Sequence, residues 1–258
     1  MLPVAASLTR CVRPAARLLL AMGLGLGAAS MAAADDGSAT GTALERCLAS
    51  ADRTHELHAG EHRAALARKV QAVPVPPRVH RLLAQVRAHA RLPKGMQVAL
   101  VGTAGGRSAS AFASGTIFLG SRLWQGDSAL DDAQLAAVLA HELAHLEAGD
   151  VKHRLCEAVA HAGAEHVALA DATQVVHRKI WSGRSDLAVQ MMQRNHLREL
   201  RADRRGTELL ARAGFPARAM ADMLLKVSPH ADDSGSHPGI EARLENLGVV
   251  VAEGPAVD

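Results

Sequence analysis

The chain has 258 residues, 48% of them hydrophobic and 21% charged, which suits one mid-sized globular domain and excludes a disordered or fibrous protein. Aromatic residues make up only 2% with no tyrosine, so a surface of stacked rings is unsupported and no tyrosine can act in catalysis. Without residues 1–34, Lys plus Arg falls from 29 to 26, equal to Asp plus Glu, so the formal charge of +3 vanishes and no nucleic-acid partner is expected.

Residues 1–34 read as a secretory signal peptide: Arg10, Arg13 and Arg17, the apolar run Leu18 to Ala29, then Ala32-Ala33-Ala34 before Asp35 and Asp36. The alternative is a membrane anchor, but that run is shorter than the roughly 18 to 20 apolar residues a spanning helix needs. With cleavage after Ala34, the expectation is export to the periplasm or full secretion, with no integral membrane segment in the mature chain. Cys47 and Cys156 would then meet conditions that permit a disulfide, and the sequence leaves open whether they join or are buried separately.

A helix is predicted over Ala43 to Val70, ended by the prolines of Val73-Pro74-Val75-Pro76-Pro77. Residues 35–77 thus form a helical segment and a Pro-rich spacer before a domain over 78–258. Arg78 to Arg91 follows as an amphipathic helix with Val79, Leu82, Leu83 and Val86 on one side. Met96 to Val101 reads as a strand, Gly102 to Ser108 as a glycine-rich turn and Ala109 to Leu119 as a second, bent strand, together a hairpin. Leu135, Val138, Leu139 and Leu143 recur at helical spacing within Leu130 to Ala148, with Gly149 as the stop. Further helices are predicted over Val151 to His177, Asp186 to Arg212 and Ala217 to Val227.

The helix starting near Leu130 carries His141-Glu142-Leu143-Ala144-His145, an H-E-x-x-H pattern. Residues four apart share a helix face, so both imidazoles can reach one zinc ion while Glu142 stands beside them to take a proton from water. The continuation H-x-x-G-x-x-H is absent, since Ala148 and Val151 occupy those positions. The other architecture takes a glutamate from a later helix. Glu199 supplies one in Glu199-Leu200-Arg201-Ala202-Asp203, leaving a fourth tetrahedral position open, with Asp203 one turn on to orient a liganding histidine. Arg198, Arg201, Arg204 and Arg205 make a solvated helix face an equal reading of the same segment; contact with an acidic substrate is an alternative for Arg201, Arg204 and Arg205, with solvation the default.

The chain resembles the zinc endopeptidases that include the CAAX prenyl protease, HtpX and BepA. The matching pieces are A-V-L-A-H-E-L-A-H (Ala137 to His145), E-L-R-A-D-R-R-G (Glu199 to Gly206), A-R-A-G-F (Ala211 to Phe215) and S-H-P (Ser236 to Pro238) with Arg243-Leu244 after it. The resemblance covers roughly Arg78 to Val249. It implies a mainly helical α+β, zincin-like metallopeptidase domain with a small β-hairpin or sheet beside the H-E-x-x-H helix. It further implies that His141, His145 and Glu199 hold one zinc ion per chain and that Glu142 is the base. A strand beside the cleft, matched by Ser114 to Phe118, would pair with extended substrate. His237 has three readings: a latch on the metal as in soluble relatives, an oxyanion donor, or a contact around Pro238. Arg243 shares the oxyanion reading. The membrane-spanning helices of some relatives and the helical-repeat domain of BepA have no counterpart here.

His55, His58 and His62 echo the zinc spacing one residue short and read as a solvated face. His153, His161, His166 and His177 are single histidines that either line a cleft or decorate a surface. The expected function is a zinc-dependent endopeptidase acting on unfolded or damaged cell-envelope polypeptides. The alternative is a zinc-stabilised chaperone or interaction protein with a closed site.

Overall fold

The computed structural model describes residues 36–50, 71–163, 186–227 and 237–249. The signal reading of residues 1–34 and the histidines at 55, 58, 62, 166 and 177 lie outside them. The elements in chain order are α1 (Asp36–Ala49), β1 (Ala72–Val73), α2 (Pro77–Arg87), β2 (Ala99–Thr103), β3 (Ala109–Ala111), β4 (Thr116–Gly120), a 3₁₀ turn (Ser121–Leu123), α3 (Asp132–Ala148), α4 (Asp150–Ala162), α5 (Asp186–Arg212), α6 (Ala219–Val227) and α7 (Ile240–Asn246). They belong to one compact unit, Asp36–Asp258. The architecture is mainly helical α+β, with a four-stranded mixed sheet. Among the described residues no helix is long and apolar enough to cross a membrane.

Helix α3 has local signals at both ends. The Asp131 side chain accepts from the Gln134 amide at 2.8 Å and the Gln134 side chain accepts from the Asp131 amide at 3.2 Å, a reciprocal cap worth about 1 kcal/mol. Gly149 closes the helix in the left-handed region at φ 66°, where glycine carries no Cβ penalty. Between these ends α3 is buried nearly all round, from Leu135 to Leu146, because neighbours cover every face. Val79, Leu82, Leu83 and Val86 of α2, Ile117 and Leu119 of β4, Leu209 and Leu210 of α5 and Met220 and Leu224 of α6 join its leucines in one apolar cluster. Burial of each such side chain contributes about 1.5–3 kcal/mol.

Gly206 explains how α5 comes so close to α3. A Cβ there would sit 2.5 Å from Met220 Cε and 3.2 Å from the His141 backbone nitrogen, so any larger residue would shift Met220 and press the two helices apart by a few tenths of an ångström. The predicted fourth helix, Val151 to His177, begins at Asp150 and its described part ends at Ala162, capped by Gly163 at φ 60°.

The expected hairpin between Met96–Val101 and Ala109–Leu119 does not form. Strand β2 runs parallel to β4, from Ala99 opposite Thr116 to Thr103 opposite Gly120, and β3 pairs antiparallel with β4, Ala111 opposite Ile117. The predicted second strand is therefore two strands, and the hairpin lies within it. Its turn is closed by Phe112 N–H to the Thr116 carbonyl and Gly115 N–H to the Phe112 carbonyl, both 2.9 Å, with Gly115 at φ 87°. The start of the Pro-rich spacer adds β1 antiparallel to β2, so the order is β1-β2-β4-β3. Consequently the segment matched to substrate pairing, Ser114 to Phe118, is the turn and interior strand β4, hydrogen-bonded on both sides. The free edge beside α3 is β3.

Cys47 of α1 and Cys156 of α4 form a disulfide across 109 residues of sequence, resolving the alternatives left open above. Lys152 adds a 2.6 Å hydrogen bond to the Leu48 carbonyl across the same contact.

Candidate active site

Four helices and one edge strand build the site. Helix α3 presents His141, Glu142 and His145, and α5 brings Glu199 and Asp203 to the same point. Glu199 Oε2 lies 3.3 Å from His141 Nε2, Glu199 Oε1 lies 3.3 Å from His145 Nε2, and the two imidazole nitrogens are 3.1 Å apart. A tetrahedral zinc with ligands near 2.0–2.1 Å sets neighbouring donor atoms about 3.3–3.4 Å apart. The observed spacings, with Glu199 turning one oxygen to each imidazole, are close to those of such a seat, and Glu199 Oε2 is a buried carboxylate oxygen with no hydrogen-bond donor, as a metal ligand would be. Two imidazoles and a carboxylate are also a donor set that zinc accepts.

Each histidine has a carboxylate behind it. Asp203 Oδ1 stands 3.0 Å from His141 Nδ1, off the line of a well-directed hydrogen bond, and the carboxylate is itself held by Arg243, whose Nη2 donates to Oδ1 at 2.6 Å and Nε to Oδ2 at 2.8 Å. Asp150 Oδ2 stands 2.9 Å from His145 Nδ1, and Arg201 donates to its other oxygen. Such contacts leave each Nε2 turned toward the metal seat, which fixes tautomer and ring orientation. Asp150 escaped the sequence reading. Its only signal there was an acidic residue directly after the Gly149 helix stop, five positions beyond His145.

Electrostatics follow from the burial and pairing of these side chains. Burial opposes charge on His141, but Asp203 and Glu199 outweigh it and its pKa rises to about 10. Burial likewise opposes charge on His145, yet Asp150 and Glu199 raise it. Burial pushes Glu199 and Asp203 up, yet His141 and His145 hold Glu199 well below the carboxylate range, and Arg243 with His141 holds Asp203 down. Glu142 differs: burial dominates and its pKa is raised, while the Ala111 backbone amide favours its ionised form. A carboxylate with raised basicity beside a metal seat is poised to take a proton.

Strand β3 contributes Ala109, Ser110 and Ala111 to the cleft wall opposite Glu142. His237, about half exposed, stands at the rim with Nε2 3.5 Å from Glu199 Oε2, and burial lowers its pKa. Arg243 was considered beside His237 as an oxyanion donor. In the structure it is a buried residue of α7, a helix absent from the sequence reading, with two of its nitrogens bound to Asp203.

The arginines that flank Glu199 divide. Arg204 is exposed, whereas Arg205 chelates Glu147 of α3 with Nη2 at 3.0 and 3.1 Å, and Arg198 donates to Glu157 of α4 at 2.6 Å. These pairs are made because α5 lies across α3 and α4, which periodicity along one helix cannot disclose. His153 is exposed on α4, and neither it nor His161 lines the cleft.

No curated protein matches the chain closely enough to count as a relative. Residues 75–250 match peptidase family M48. With the H-E-x-x-H histidines and Glu199 gathered around one metal seat, the chain belongs to that metallopeptidase family.

Proposed function

We propose that this protein is a zinc endopeptidase that hydrolyses peptide bonds in unfolded or damaged polypeptides of the cell envelope. The observation that carries the reading is the His141–His145–Glu199 triangle with Glu142 beside it and an open strand edge across the cleft. A zinc ion in that seat supplies a Lewis acid that acidifies water toward a pKa of about 7 and polarises a carbonyl. Glu142 accepts the proton of the attacking water and returns it to the leaving amine, a transfer suited to its raised pKa. Asp203 and Asp150 hold the two imidazoles in register, Arg243 keeps Asp203 ionised, and Arg201 fixes Asp150 in place. The outer edge of β3, apart from the Ala111 amide that meets Glu142, offers main-chain groups to an extended chain. Pairing of that kind reads backbone shape more than side chains and suits unfolded substrates. Envelope location is supported by the signal-like residues 1–34 and by the Cys47–Cys156 disulfide, a bond favoured in oxidising compartments.

A second reading rests on His237. Its Nε2 is 3.5 Å from a carboxylate oxygen of the triangle, within reach of the fourth metal position, which would make the site a closed one in a chaperone or interaction protein. The deciding experiment is cleavage of a denatured model protein by the zinc-loaded chain, with Glu142→Gln and His237→Ala alongside. Activity lost in Glu142→Gln with zinc retained supports the peptidase, and a faster His237→Ala supports a latch. Silence of all three with stoichiometric zinc refutes general proteolysis.

A further inference from the structure

Beyond Glu142 the cleft opens into a second cavity of about 430 Å³. Its apolar wall is Leu123, Val138, Met223, Leu224, Val227 and Ile240, and its other borders include His141, Glu142 and Arg107. Its place in the reaction follows from proton traffic. The group that protonates the leaving amine must lie on the side of the residue carrying that amine. Glu142 borders this cavity, whereas the cavity at the other end of β3, beside Ala113 and Ser114, meets His145 and not Glu142. The residue after the cut therefore enters the apolar cavity. Substrate then runs from the Ala113–Ser114 end of β3 toward Arg107, antiparallel to the strand.

Arg107 is unusual among the described arginines. Its Nη2 donates to the Ser128 carbonyl at 3.0 Å, its Nε is buried without a partner, and no carboxylate among the described residues pairs with it. Its backbone is built into place: the Ser121 and Arg122 amides donate to the Gly105 and Gly106 carbonyls, each at 3.1 Å, and Gly106 packs so tightly on Gly120 that a Cβ there would meet its carbonyl oxygen at 2.6 Å. A cation held at the mouth of a cavity whose only lining carboxylate among the described residues is Glu142 is matched by an anion.

We infer that Arg107 reads a carboxylate on the substrate within the first residues after the cut, behind an apolar residue held by the cavity. That carboxylate is either an acidic side chain or the free C-terminus of the polypeptide. The inference rests on the peptidase reading of the cleft and adds a substrate class to it: chains with an apolar residue followed closely by negative charge.

The test uses the metal-loaded full chain carrying Glu142→Gln, which binds without turning over, and fluorescence anisotropy of labelled peptides sharing a leucine after the target bond. One arm has a neutral, amidated tail. A second walks a glutamate through the first three positions after the bond, and a third ends in a free acid at the second or third. A charge-assisted contact predicts about tenfold tighter binding for at least one carboxylate arm than for the neutral arm, shrinking at high salt. Adding Arg107→Ala should bring the arms within about twofold, Arg107→Lys should retain part of the difference, and the exposed neighbour Arg122→Ala should retain all of it. Equal affinities across the arms, no measurable binding of any carboxylate arm, or discrimination that survives Arg107→Ala each overturn the inference. Cleavage is scored separately with Glu142 intact. Discrimination without cleavage upholds the Arg107 site and sinks the peptidase reading, and cleavage of all arms alike does the reverse.

Discussion

Replacing Arg243 by methionine tests the carboxylate relay behind His141. Asp203 is fully buried and takes two hydrogen bonds from Arg243, at 2.6 and 2.8 Å. Removing one partner of a buried pair costs about 3–5 kcal/mol because the other charge is left uncompensated. For a domain of this size that corresponds to a fall in Tm of roughly 6–20 °C. Its pH dependence has a definite sign. In the wild type, burial raises Asp203 but Arg243 and His141 outweigh it, so its pKa lies below the ordinary 3.8. The pair's contribution is then present above that pH and lost as the medium acidifies through the depressed pKa. Without Arg243 burial prevails and the carboxyl resists ionisation, so Arg243→Met should lose most stability near pH 8 and least near pH 4.5. The assay is urea unfolding of metal-free wild type and variant across that range, with zinc affinity measured in parallel and expected to fall about 10- to 100-fold. Removing both charges, as Arg243→Met with Asp203→Leu, should recover much of the stability but not the zinc affinity. A single-variant loss below about 1 kcal/mol, or one independent of pH, would refute the relay.

Zinc must displace a proton held on His141 at a pKa of about 10, so affinity measured against a chromophoric chelator should climb with pH. The same raised pKa means that metal-free stability from this group is full below about 6.5 and declines toward pH 10; a flat profile for both quantities counts against it. Cys47→Ser with Cys156→Ser opens a loop spanning 109 positions, and the chain-entropy model gives a loss of about 4–5 kcal/mol with zinc stoichiometry unchanged. Loss of zinc in the disulfide-free variant, at a temperature where it stays folded, would show instead that α1 shapes the metal seat. Gly206→Val puts carbon against the His141 backbone nitrogen and should cost about 1–3 kcal/mol by separating α5 from α3, with weaker zinc binding as the diagnostic.

The metal-binding half of the site was legible in the chain because it depends on local periodicity. His141 and His145 share a face of α3 by their four-residue spacing, and Asp131, Gln134 and Gly149 bound that helix with contacts no longer than one turn. Glu199 and Asp203 sit one turn apart on α5 for the same reason, and spacing nominated them. That they meet His141 and His145 was decided by the glycine approach at Gly206, a contact between helices. Sheet pairing was misread because strand propensity over Ala109 to Leu119 says nothing of partner or direction, and a Ser-Gly turn inside an apolar run splits it. Asp150 behind His145, Arg243 behind Asp203 and the Cys47–Cys156 bond are all choices of partner distant along the chain or across a helix break. Single residues carry equal local signals for exposure and for pairing, and only the packing of α4, α5 and α7 around α3 selected between them.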